Sequence, residues 1–219
     1  MRLDRTSTVL GAGLLAAVIF GACSLNPKED PTRHYVLSSI SDDSGLYGAA
    51  GLVGNTMEEA ARSAGPPVSV SVGVGPVTLP TYLKRSRMAT RVSPTEIEFM
   101  ETERWAQLLH EGFAYTVGEN LGAILWTESV QLHPWYSTHG PDYSVRIDVA
   151  SFERDPTGSV RLVAGWQLTD AEGVVLATDS VDIREPASEP TVAASVQAQS
   201  AVLARMSRQI ADAIRDAAS

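Results

Sequence analysis

Residues 143–183 read YSVRIDVASFERDPTGSVRLVAGWQLTDAEGVVLATDSVDI, three alternating runs separated by two turn signals. Tyr143, Val145, Ile147 and Val149 fall on one side of an extended chain, with Arg146 and Asp148 on the other. Val160, Leu162, Ala164, Trp166 and Leu168 repeat the two-residue period, and Val174 to Ile183 forms a third run. That period marks strands with one apolar face. The linkers Asp155-Pro156-Thr157-Gly158 and Asp170-Ala171-Glu172-Gly173 have hairpin-turn composition. An antiparallel three-stranded meander is the expectation.

Two helices are expected around it. Trp105, Leu108, Leu109, Gly112, Phe113, Val117, Leu121 and Ile124 recur at three- and four-residue steps, one side of an amphipathic helix over roughly 102–124. A second helix opens near Ser188, with Pro190 in its first turn, and runs to Ala217. Its stripe is Val192, Val196, Leu203, Met206, Ile210 and Ile214. Upstream, Val68, Val70, Val72 and Val74 alternate with Ser69, Ser71, Gly73 and Gly75, a further strand. Met88–Arg91 and Thr95–Phe99 flank Ser93-Pro94 as a hairpin-like pair, and His34–Leu37 is a brief apolar strand. The expected fold is α+β, one mainly antiparallel sheet packed against two long helices.

The N-terminus reads differently. Arg2 and Arg5 precede an apolar run of 14 residues from Val9 to Ala22. A transmembrane helix needs ~20 residues, so the run fits the core of a secretory signal peptide better than a permanent span. It ends Phe20-Gly21-Ala22-Cys23, and Cys23 is the sole cysteine. The tetrapeptide resembles a bacterial lipobox, with Phe20 where Leu is usual, and implies a covalent lipid on Cys23. Ser24 behind it favours the periplasmic face of the outer membrane, since inner-membrane lipoproteins commonly carry Asp there. Residues 1–22 are thus expected as signal peptide, 23–33 as a lipidated polar tether and 34–219 as the domain. Residues 38–67, rich in Ser, Gly and Ala, are expected as a flexible insertion with one helical turn near Met57–Arg62. A GxGxxA match at Gly11–Ala16 lies within the signal peptide and is no dinucleotide fingerprint.

The 219 residues include 17 Lys+Arg and 26 Asp+Glu, a formal charge of −9. Removing residues 1–22 takes away one net positive charge and leaves −10. Such a chain is repelled by phosphate backbones, so nucleic acid is an unsuitable partner. A single cysteine excludes an internal disulfide and a cysteine-based zinc cage. No nucleophile elbow and no phosphate loop is present, and none of His34, His110, His133 and His139 has metalloprotease spacing. His133 and His139 flank Pro134-Trp135-Tyr136 and fit solvated loop positions better than a metal pair. The residues give no support for an enzyme, a metal or a cofactor beyond the anchor lipid.

One segment is more specific. Leu79-Pro80-Thr81-Tyr82-Leu83-Lys84-Arg85, then Met88 and Thr90-Arg91, follow the valine strand and precede Arg104-Trp105-Ala106. Glu119-Asn120-Leu121 lies near the helix end, and Tyr143–Val149 with Phe152-Glu153 opens the meander. Together these resemble the ABC-type transport auxiliary lipoproteins, the family that includes the paraquat-inducible lipoproteins. The resemblance runs from His34 to the C-terminus apart from 38–67. Lys84 stands where Asp is usual, Ser86 where Pro is usual, and Gln107-Leu108 replaces Glu-Pro.

The resemblance implies a lipid-anchored accessory subunit without chemistry of its own, docking a trans-periplasmic MCE-domain (mammalian cell entry) protein at the outer membrane for lipid transport. Homo-oligomeric, ring-like assembly around the conduit follows by analogy alone. The expected partner-binding residues are Leu79, Pro80, Tyr82, Leu83, Lys84, Arg85, Arg87 and Arg91. The basic members have two readings, internal pairing with nearby carboxylates or a docking patch for an acidic surface. Trp105 and Trp166 are expected in the core, Trp126 and Trp135 at less regular positions open to contact with lipid or protein. A small ligand-binding lipoprotein and a purely structural envelope lipoprotein are the competing functional readings.

Overall fold

In the computed structural model, residues 30–43, 68–136 and 140–219 are described. The expected signal peptide, Cys23, the 23–29 part of the tether, the 44–67 part of the insertion with its helical turn, and His139 lie outside them.

The meander forms as its alternation dictates. β6 (Tyr143–Arg154), β7 (Val160–Asp170) and β8 (Val175–Glu185) pair antiparallel in succession. Val145, Ile147, Leu162, Ala164, Trp166, Leu168 and Val181 are buried on one face. On the exposed face Arg146 pairs with Asp148 at 3.1 Å and Arg161 with Asp182 at 2.6 Å. Asp155 and Asp170 close the two turns by accepting backbone N–H groups of Thr157 and Ser159, and of Glu172 and Val174.

Among the described residues eight strands make one mixed sheet, which branches at β6. Its opening half lies parallel to β2 (Val72–Thr78), which in turn pairs with β5 (Val130–Leu132). Its last residue, Arg154, meets Thr90 of β3 (Arg87–Ser93). β3 and β4 (Glu96–Trp105) form the expected hairpin, and β1 (Arg33–Tyr35) runs parallel along the end of β4. The connection between β2 and β3 therefore crosses between two strands that share one edge of β6.

Two long helices cover the apolar face. α2 (Leu109–Leu125) buries Leu109, Phe113, Val117, Leu121 and Ile124, and Phe113 meets Phe152 edge-on with ring centroids 5.2 Å apart. α3 (Val192–Ala218) buries Val196, Leu203, Met206, Ile210 and Ile214. Its cap is Thr191, whose side chain accepts from Ala194 N, so Pro190 precedes the helix instead of entering its first turn.

Three other boundaries differ from expectation. Residues 102–105 are strand, because Trp105 N donates to Ser86 O at 2.7 Å and Ala106 N to Tyr35 O at 2.9 Å. The valine strand begins at Val72, since Val72 is the first residue with strand partners on both sides. Its start is pinned by Asp142, which accepts from both N and Oγ of Ser71 at 2.7 Å. β1 ends at Tyr35, and Leu37 turns into the core, where it is buried. Residues 38–43 are also docked: Ser39 is buried, Ser38 N donates to Ser200 Oγ, and Ile40 N, opening α1 (Ile40–Asp43), donates to Asn120 Oδ1 at 2.8 Å. The expected insertion therefore does not include residues 38–43.

Candidate docking site

The Leu79–Arg91 segment is held from beneath. Leu79 and Leu83 are buried, and Leu83 N donates to Pro80 O at 3.0 Å to close a short 3-10 turn over Thr81–Lys84. Tyr82 then reaches the far end of β6, where its hydroxyl donates to Glu153 Oε2 at 2.9 Å. Arg91 Nε donates to Glu153 Oε1, and Arg91 Nη2 donates to the Tyr82 hydroxyl at 3.1 Å. Ser151 Oγ and Phe152 N, both at 2.9 Å, complete four donors on one carboxylate.

Glu153 is almost fully buried, so its charge is stable only because donors and a cation replace water. Burial and then the neighbouring Glu153 charge push the Tyr82 hydroxyl up to about 12. Tyr82 is therefore a fixed neutral donor. The Arg91 guanidinium also lies against the Tyr82 ring, 5.9 Å from its centroid.

The basic cluster consequently divides. Arg91 is turned inward and paired, whereas Lys84, Arg85 and Arg87 are exposed. Arg85 is ordered by stacking over Phe99, with the guanidinium carbon 5.1 Å from the ring centroid. Of the eight expected residues, Leu79, Leu83, Tyr82 and Arg91 anchor the segment, Pro80 shapes its turn, and Lys84, Arg85 and Arg87 form its surface. An open depression lined by Arg91, Ser93, Pro94, Ser151 and Arg161 lies alongside.

Sequence reasoning quoted Glu153 within a family pattern but missed it as the hub. The register shift between Val149 and Ser151 changes the parity of β6, and both Phe152 and Glu153 end up buried. A carboxylate next to a core aromatic gives no local signal of this. Trp105 and Trp166 are core residues as expected, Trp126 is exposed, and Trp135 lies half-buried beside His133. Among the described residues no group of three metal-ligating side chains converges.

The family described as the ABC-type transport auxiliary lipoprotein component matches residues 54–211 of the chain. A solved structure described only as an uncharacterized protein superposes with a TM-score of 0.59 at 19% identity, covering 68% of this chain and 94% of that one. A crystal structure of a DUF330 family protein from Xanthomonas campestris gives 0.55 at 21% identity, covering 66% and 83%. At these identities the two structures speak to fold. Comparison with curated protein sequences returns no match.

Proposed function

The chain belongs to the ABC-type transport auxiliary lipoprotein family, and from that premise we propose that it docks the MCE-domain protein of such a transport system at the outer membrane, anchored by lipid on Cys23. In this reading the domain carries out no chemistry; it holds a conduit in place so that lipid passes between membranes.

One observation carries the docking role. Lys84, Arg85 and Arg87 stand exposed at the end of a turn and the start of β3, a segment fixed by Leu79, Leu83 and the Tyr82–Glu153–Arg91 hub, in a chain of net charge −9. A positive patch on an acidic protein selects an acidic partner and sets its orientation, and a rigid base spares the ordering cost on binding. Arg over an aromatic ring is also the kind of preordered side chain found at interface hot spots.

The test is cross-linking in native membranes, purification through a C-terminal tag and mass spectrometry. An MCE-domain protein among the main partners, lost in the Lys84→Glu/Arg85→Glu variant, is the expected result. A protein that carries lipid and no such partner would overturn the reading in favour of a ligand-binding lipoprotein. The anchor is tested separately: Cys23→Ser should abolish acyl labelling.

A further inference from the structure

We propose that a row of basic residues, His34–Arg104–Arg87 across β1, β4 and β3, which shares Arg87 with the docking patch, seats on anionic phospholipid headgroups of the membrane to which the chain is tethered. The row is set by register: His34 pairs with Arg104, and Arg104 with Arg87. Residues paired across neighbouring strands project to the same face, where like charges directly opposite each other are destabilising. Yet this corner places two guanidinium groups, Arg104 and Arg87, side by side.

The other face of the same corner shows what balance looks like. There Arg33 lies opposite Glu103, a cation against a carboxylate. On the His34–Arg104–Arg87 face the nearest help comes from carbonyls: Arg104 Nη1 donates to Met100 O at 3.1 Å and to Glu103 O at 3.4 Å. Among the described residues none of the three is paired with a carboxylate. His34 and Arg87 are exposed and Arg104 is partly so. Two guanidinium forks side by side match phosphate oxygens, which accept two hydrogen bonds from each planar group.

Chain length argues for a lipid source of that phosphate. Cys23 precedes Arg33 by ten residues. An extended chain of that length spans at most about 36 Å, so an anchor on Cys23 keeps the membrane within reach of β1. The acidic net charge does not forbid contact, because charges farther than about 8–10 Å are screened at physiological salt. The local row then decides which corner faces the bilayer. The inference rests on the Cys23 anchor of the proposed function for its location, not on the MCE partner.

The experiment uses the mature chain carrying Cys23→Ser, with no acyl group, and co-sedimentation with vesicles. Binding is expected to phosphatidylcholine vesicles containing phosphatidylglycerol and not to phosphatidylcholine alone, weakening as salt rises. Arg87→Gln/Arg104→Gln should lower it by at least about tenfold. Lys at both positions should restore most of it, and Arg146→Gln should leave it unchanged. Equal binding by the double Gln variant, equal binding to neutral vesicles, or displacement by millimolar inorganic phosphate would overturn the proposal. So would absence of vesicle binding together with loss of a cross-linked protein partner in the Arg87/Arg104 variant, which would assign the row to protein docking. Failure of acyl labelling at Cys23 would instead strike the anchor reading, which this assay does not use.

Discussion

Arg91 and Glu153, one at the middle of β3 and one at the end of β6, form an ion pair in which the carboxylate is nearly fully buried and the guanidinium about one-third exposed. The two strands touch through a single register pair, Thr90 with Arg154, so side chains carry much of the contact between the branches of the sheet. Removing one partner of a buried pair costs about 3–5 kcal/mol, and the exposed side of Arg91 lowers this to roughly 2–3. Glu153→Gln also places an amide donor against four existing donors. A fall in Tm of roughly 5–10 °C is expected by calorimetry. An unchanged Tm would show that the hub does not hold the branches together.

Tyr82 adds a pH signature. Its folded value of about 12 lies above the ordinary 10.0, raised by burial and then by Glu153. The stability it contributes is complete below pH 10 and is lost as pH rises through about 12. Tyr82→Phe should therefore be less stable by ~1 kcal/mol at neutral pH, the typical value of one hydrogen bond. The gap from the native protein should close as pH approaches 12, and the latest tyrosinate absorbance step should vanish. A gap constant from pH 8 upward would refute the coupling.

These two residues also show where sequence reasoning stops. The meander was legible because β6, β7 and β8 each keep one charged face, marked by Arg146, Asp148, Arg161 and Asp182. The helix start was not: Trp105, Leu108 and Leu109 have helical spacing, but the bonds to Ser86 and Tyr35 that keep Trp105 extended come from distant residues. β5, three residues long, exists only because β2 is beside it. In the candidate site, adjacency in sequence marked Lys84–Arg91 as basic. Which arginine turns inward depends on Glu153, 62 residues away, and is settled by tertiary contact.

Asn120 is a second polar group whose role lies at long range. It is fully buried in α2, accepts from Ile40 N at 2.8 Å and donates through Nδ2 to Ser207 Oγ of α3 at 3.4 Å. It thus ties residues 37–43 to both helices. Asn120→Ala leaves the Ile40 amide without its acceptor, at a cost of about 1–3 kcal/mol. Hydrogen exchange at Ile40 should accelerate far more than exchange at Val145 in the sheet. Equal protection of both amides would show that the strap is held by Leu37 packing instead.

Among the described glycines, Gly73 allows the closest approach of a neighbouring side chain. A Cβ there would lie 2.5 Å from Pro141 Cγ and 2.7 and 2.8 Å from two ring atoms of Trp135. No side chain fits unless Trp135 and Pro141 lift off β2, where Trp135 now rests with His133 edge-on at 5.3 Å. Gly73→Ala is expected to cost about 1–3 kcal/mol, the range for overpacking. Because Trp105 and Trp166 are buried and Trp126 is already exposed, a red shift in fluorescence would report Trp135. In a Trp135→Leu background the penalty should shrink, since the rigid ring is replaced by a smaller, movable side chain, while Pro141 keeps part of it. The difference between the two backgrounds is the coupling energy of the contact. An identical penalty in both would mean that Gly73 answers to Pro141 alone and that Trp135 is free to leave the sheet.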